Sequence, residues 1–282
     1  MLGASYFKLG RFSDALPPLE VGARAMPDDR FARVTLAQTL LGLHRVREAI
    51  AQLNLVIEKN PKDQEAWYLL GKLHLELSQE AFEQVQTIDP AAPLAHQLAG
   101  EVMESMQNTP GAVDAYKRAI AAAPEDLGAL EHLADLYWRT GDWANARETY
   151  RTLLNKQPRN CAAHWRLADT MDESGDPPAA GLEEVNTALT LCPSLVQAHA
   201  ERARLLLRLG KPAEALPDLE IAEQAAPNET SVQRLLAQAY RALGDRARAD
   251  AANQRFLQLQ QAQHEEKERH AARLETESSG PH

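Results

Sequence analysis

In the stretch ending at Pro158, apolar and polar positions alternate with a helical period. Leu130, Leu133, Ala134 and Tyr137 stand at i, i+3, i+4 and i+7, the spacing of one stripe on one helix. Gly141 breaks the stripe and supplies a left-handed cap. Ala146, Tyr150 and Leu153 resume it on a second helix. Pro158 stops that helix, because the residue before a proline is biased away from the helical region. Asn160 follows, as Asp126 follows Pro124 and Asp63 follows Pro61, each placed to cap the next helix by accepting a backbone N–H bond.

The same cycle recurs along the chain. Prolines stand at Pro27, Pro61, Pro90, Pro124, Pro158, Pro193 and Pro227; five of the six intervals are 34 or 35 residues, and the Pro61 to Pro90 interval is 29. A fixed period of this size marks a solenoid, in which each unit buries its apolar face against its neighbours. Small residues return at Ala134, Ala168, Ala203 and Ala237, the position where two helices cross and a larger side chain would force them apart. Such a chain offers an extended surface for function instead of a single pocket.

These residues carry a family resemblance. The unit resembles the tetratricopeptide repeat, whose W-x2-L-G-x2-Y, A-x3-F and P signature is matched by Trp67, Leu70 and Gly71, by Ala112 with Tyr116, and by Ala146 with Tyr150. Further copies are Ala49 with Leu53, Ala215 with Leu219, and Leu236, Ala237, Tyr240, Gly244 and Ala249. The resemblance implies an all-α fold, a right-handed superhelical solenoid of antiparallel helix pairs, with about eight units over residues 1–258.

Three units depart from the pattern. The first is truncated: Leu2, Gly3 and Tyr6 match the middle of a first helix, so about one and a half turns are expected to be missing before Met1. The third, residues 62–90, lacks five residues, and no Gly or Pro lies from Lys72 to Asp89. Leu70, His74, Leu77, Ala81, Val85 and Ile88 keep one stripe across the gap, which favours a continuous helix from about Asp63 to Ile88 over a tight hairpin and a bend in the stack there. This irregular unit is similar to those of uncharacterised bacterial members of the family. The last unit has no closing proline, and residues 259–282 read as a charged helical extension and a disordered tail.

Composition removes several classes of function. A net charge of -10 argues against nucleic acid or an anionic membrane surface as the main partner, since both demand clustered Lys and Arg. No apolar run approaches the ~20 residues that span a bilayer, so the chain reads as soluble; its compartment, cytoplasmic or periplasmic, is left open by the sequence. None of the common short catalytic signatures occurs, so no enzymatic activity and no cofactor are expected. Cys161, His164, Cys192 and His199 fall near one end of a helix pair, but their spacing is not that of a zinc site. Two buried or half-buried thiols are expected there, ahead of a Cys161 to Cys192 disulfide or a metal. His96, His164 and His199 share the Trp67 position, where packing explains them better than ligation.

In the resembled family, first helices of successive repeats line a concave groove. Carried over, the groove positions are Tyr68 and Lys72, Gln97 and Glu101, Glu131, Asp135 and Trp138, Trp165, Asp169 and Asp172, Arg204 and Leu207, then Arg234, Gln238 and Arg241, with Arg208 nearby. An acidic stretch with two tryptophans is followed by a basic one. The implied function is a scaffold or adaptor that takes another protein, as a peptide or partner helix, with Trp138 and Trp165 as anchors and the flanking charges setting orientation. The family's carboxylate clamp needs Lys and Asn; the matching pairs here, Val34 and Gln38, Tyr68 and Lys72, Glu131 and Asp135, or Trp165 and Asp169, do not supply them. Two other expectations stay open: a docking portion of a larger enzyme or sensor whose other domain lies upstream of Met1, and small-ligand sensing inside the superhelix.

Overall fold

The computed structural model describes residues 2–278, and those residues form helices and short turns with no strand among them. The chain divides into two units, Met1–Ala91 and Ala92–His282. The first contains α1 (Leu2–Lys8), α2 (Phe12–Ala25), α3 (Arg30–Gly42), α4 (Val46–Lys59) and α5 (Gln64–Ile88). The second contains α6 (Pro93–Ser105), α7 (Thr109–Ala122), α8 (Gly128–Arg139), α9 (Trp143–Lys156), α10 (Cys161–Glu173), α11 (Pro178–Leu191), α12 (Val196–Arg208), α13 (Pro212–Ala225), α14 (Thr230–Ala242) and α15 (Arg246–Ser278).

Within each unit every helix packs on the helices before and after it, as stacked pairs must. In the first, Ala15, Leu19, Ala37, Leu40, Ala49 and Leu53 form a continuous core. In the second, Tyr116 and Tyr150, both fully buried, lie with Leu133, Ala134, Leu153 and Leu167 in the largest cluster. Burying each large side chain of this kind stabilises the fold by roughly 1.5–3 kcal/mol before entropy is counted. Ala134, Ala168 and Ala203 are wholly buried and Ala237 nearly so, as the crossing position requires.

The turn between the two helices of a pair has its own recurring device. Gly10, Gly141, Gly175, Gly210 and Gly244 adopt positive φ there, and His44 and Gln107 adopt it too, both at 58°. A side chain in this left-handed region costs energy that glycine avoids. The unit ending at Pro90 contains no such residue and no such turn. Its helix α5 runs unbroken for 25 residues, so of the two alternatives for this segment the continuous helix is the one present.

Helix starts follow the capping pattern in part. Asp63 accepts from Ala66 N–H at 3.0 Å and Asn160 from Ala163 N–H at 3.0 Å. Asp126 differs from expectation: Leu127 holds the cap position of α8, and Asp126 sits one residue earlier, bonding Gly128 N–H at 3.0 Å in a tight local turn. At the other end of the chain, α15 extends for 33 residues; Ala249, Ala252 and Leu259 are buried, and the side chains from 260 to 272 are exposed. The disordered tail expected at the terminus falls, for residues 279–282, outside the described residues.

One expectation is overturned. Cys161 and Cys192 are not separate thiols but a disulfide, with their Cα atoms 6.0 Å apart. Cys161 opens α10 and Cys192 caps the end of α11. Antiparallel packing brings the start of the first helix to the end of the second, within the span a disulfide bridges.

Candidate functional site

In four repeats the Trp67 position has a structural task. Six residues earlier stands the proline that ends the previous helix, and its carbonyl needs a donor. Trp67 Nε1 donates to Pro61 O at 3.0 Å, and Arg33 Nε donates to Pro27 O. His164 Nε2 lies 3.0 Å from Pro158 O, and His199 Nε2 lies 2.8 Å from Pro193 O. The other ring nitrogens are taken as well, by Glu184 at 2.7 Å and by the buried Asp218 at 2.6 Å. Neither imidazole has a nitrogen left for a ligand. No cluster of three or more metal-ligating side chains exists among the described residues.

In the second unit the residues expected in the groove stand on α6, α8, α10, α12 and α14. Trp138 on α8 donates from Nε1 to Asp169 on α10 at 2.6 Å, and its ring meets Trp165 edge-on, with centroids 6.0 Å apart. The Arg166 guanidinium stands 5.2 Å and 5.5 Å from the two ring centroids, within cation–π range. Arg166 also pairs with Asp135, which accepts from the Tyr150 hydroxyl at 2.7 Å. Burial pushes that phenol well above its usual range, with Asp135 adding to the effect, so Tyr150 stays a neutral donor. Glu131 accepts from Asn160 at 3.1 Å.

The acidic and basic stretches are partners. Arg204 on α12 bonds Asp172 at 3.1 Å, Glu173 at 2.7 Å, Glu201 at 2.5 Å and also Asp169, while Arg208 pairs with Asp172. Much of the charge expected to steer a partner is therefore spent in tying α10 to α12. Arg234 and Arg241 on α14 are exposed. In the first unit, Tyr68 is exposed and Lys72 Nζ stands 5.8 Å from its ring centroid.

Two residues of this region were not singled out by sequence reasoning. Arg166 and Glu201 occupy one repeat position, eight residues past Pro158 and Pro193, where other units place Thr35, Leu69, Leu98, His132 and Leu235. A formal charge at a position that other units fill with Leu, Thr or His is the signal that points to them. Glu201 is only 4% exposed, and its Oε1 has no hydrogen-bond partner. Burial raises its carboxyl to about 7, against the opposing pull of Arg204. It lines a hollow of about 320 Å³ walled by Trp165 and Asp169 from α10, Val196, Ala200 and Arg204 from α12, and Val232, Arg234 and Leu235 from α14. Three successive first helices thus share one depression.

No helix among the described residues is long and apolar enough to cross a membrane. Comparison with known proteins agrees with the repeat architecture. The chain is 23% identical over 166 residues to the human Protein O-mannosyl-transferase TMTC1, a match covering 56% of this chain and 19% of that protein, so it spans a minor part of this relative's length. The structure of PilF from Pseudomonas aeruginosa superposes with a TM-score of 0.54 at 16% identity, covering 84% of this chain and 97% of that one. That of YrrB, described as a TPR protein with an unusual peptide-binding site, gives a TM-score of 0.54 at 16% identity over 66% of this chain and 98% of its own. These similarities show an all-α superhelical repeat fold. Residues 6–73 match the tetratricopeptide repeat family, as do residues 100–160, 132–195 and 201–264, and the chain is a member of that family.

Proposed function

We propose that this chain is a protein-interaction scaffold whose first-helix wall holds a peptide or partner helix. Tetratricopeptide repeats serve in general as scaffolds for protein–protein contact, and that much follows from the family. The finer reading places the partner along α8, α10, α12 and α14, with Trp138 and Trp165 as anchors and Glu131, Asp135, Asp169, Asp172, Arg204, Arg208, Arg234 and Arg241 around them. Tyr68 and Lys72 belong to the corresponding face of the first unit. The observation that carries it is the hollow shared by three successive first helices, half-lined by apolar side chains and edged by a tryptophan. The similar fold of a protein described as having a peptide-binding site supports the reading by analogy.

A second reading, in which the repeats are the docking part of a larger enzyme or sensor, draws support from the transferase relative, where the matched stretch is 19% of the length.

Selection of a displayed library of random 12-residue peptides on the intact protein tests the first reading. Peptides enriched on wild type are expected to bind Trp165→Ala at least tenfold more weakly, as loss of an interface anchor does. Circular dichroism and thermal melting confirm that the variant is folded. Peptides that bind wild type and Trp165→Ala equally would remove the groove assignment.

A further inference from the structure

The hollow between α10, α12 and α14 contains an acid whose bonding the repeat does not complete. Glu201 Oε2 accepts from Arg204 Nε at 2.8 Å and from Nη2 at 2.5 Å, while Oε1 is buried with no partner. A buried polar atom left unpaired is costly, and the great majority of such atoms in native proteins have partners. This one belongs to a residue that lines an open hollow. We propose that the hollow receives the ammonium or guanidinium of a lysine or arginine side chain from the bound segment, seated beside Trp165 with its charge against Glu201 Oε1. The inference rests on the peptide-binding reading above and names what that site selects.

Charge balance points the same way. Asp169, Asp172 and Glu173 from α10 and Glu201 from α12 gather around Arg204, and Arg208 is the one further cation paired with this group among the described residues. Carboxylates outnumber guanidiniums, and an incoming cation corrects the excess. The walls suit the rest of such a side chain: Val196, Ala200, Val232 and Leu235 offer apolar surface to its methylene stem, and the Trp165 ring offers its face or edge to the head group. An anionic ligand fits poorly, because Arg204 is already saturated by carboxylates and Glu201 would oppose it. The other charged groups lining the hollow are Arg234 on α14 and Glu229 before it; Arg234 is exposed at the rim, and Glu229 is engaged in bonding Ser231. The inner seat is therefore set by Glu201.

The pairing needs the carboxylate form of Glu201. Its carboxyl is held at about 7 by burial, so the ionised fraction rises through the neutral range. Affinity for a segment with a basic anchor is expected to increase roughly tenfold from pH 6 to pH 8, following that fraction, because Lys and Arg stay charged throughout.

The probe is the tightest 12-residue peptide from the display selection, synthesised with each Lys and Arg changed in turn to norleucine. One such change is expected to weaken binding to wild type at least tenfold at pH 8 and to matter less than twofold on Glu201→Gln. The rise with pH should vanish in that variant. Losses that are the same on both proteins, or a flat pH series on wild type, would overturn this inference while leaving groove binding intact. A selection that yields no binding peptide would overturn both. The pH series on wild type stands whether or not the variant folds.

Discussion

Gly71 and Gly100 sit at one repeat position, ten residues past Pro61 and Pro90, where other units have Ala37, Ala134, Ala168, Ala203 and Ala237. Their surroundings are opposite. A Cβ on Gly100 would lie 2.5 Å from the ring of the buried Tyr116, which comes from the second helix of the same pair. A Cβ on Gly71 would meet nothing within 4 Å, because its unit has no separate second helix. The small residue is thus demanded by the partner helix and becomes idle where that partner is missing. Gly71→Ala should stabilise the protein by about 0.5–1 kcal/mol through helix propensity. Gly100→Ala should destabilise it by about 1–3 kcal/mol through overpacking. Urea unfolding of the two variants checks this; shifts of the same sign would show that the second helix does not set the position. The sequence displays two identical glycines in register, and only the contacts separate them.

At the scale of the element, what was legible followed from periodicity. The stripe through Leu130, Leu133, Ala134 and Tyr137, the glycine turn and the terminating proline each reappear as helix, turn and helix, because the residues that form these elements lie within one unit. Features that join elements were harder to read. Cys161 and Cys192 are 31 positions apart; their place near one end of a helix pair was legible, but the bond itself follows from antiparallel packing that sets the start of α10 against the end of α11. The pairing of Asp169 and Asp172 with Arg204 and Arg208 is of the same kind, since each partner looks like a free surface charge along its own helix. Glu201 could have been noticed as the one acid at its repeat position, but its unpaired oxygen needs coordinates. Closing a loop of this length restricts the unfolded chain and should contribute about 2–4 kcal/mol. The Cys161→Ser, Cys192→Ser double variant should therefore melt lower than wild type, and dithiothreitol should lower wild type by a similar amount. Full reduction, verified by thiol alkylation and mass, with no change in melting would show that helix packing alone holds α10 to α11.

For the molecule as a whole, a stack of repeats spreads a perturbation by nearest-neighbour contact, so damage should stay local in a way that a single shared core would not allow. Ala134 provides the test. It is wholly buried where α8 crosses its neighbours, and its cluster includes residues of α7, α9 and α10. Ala134→Leu inserts a branched side chain where no space exists, at a cost of roughly 1–3 kcal/mol. Native-state hydrogen exchange should then quicken in α8 and α9, less in α7 and α10, and little in α14 and α15, which belong to the same unit but pack elsewhere. A gradient of this form follows from coupling that passes only through adjacent interfaces, each able to open while more distant ones remain shut. Equal acceleration from α7 to α15 would instead mean that the second unit opens as one body, and the repeat would then describe its sequence without describing how its stability is distributed.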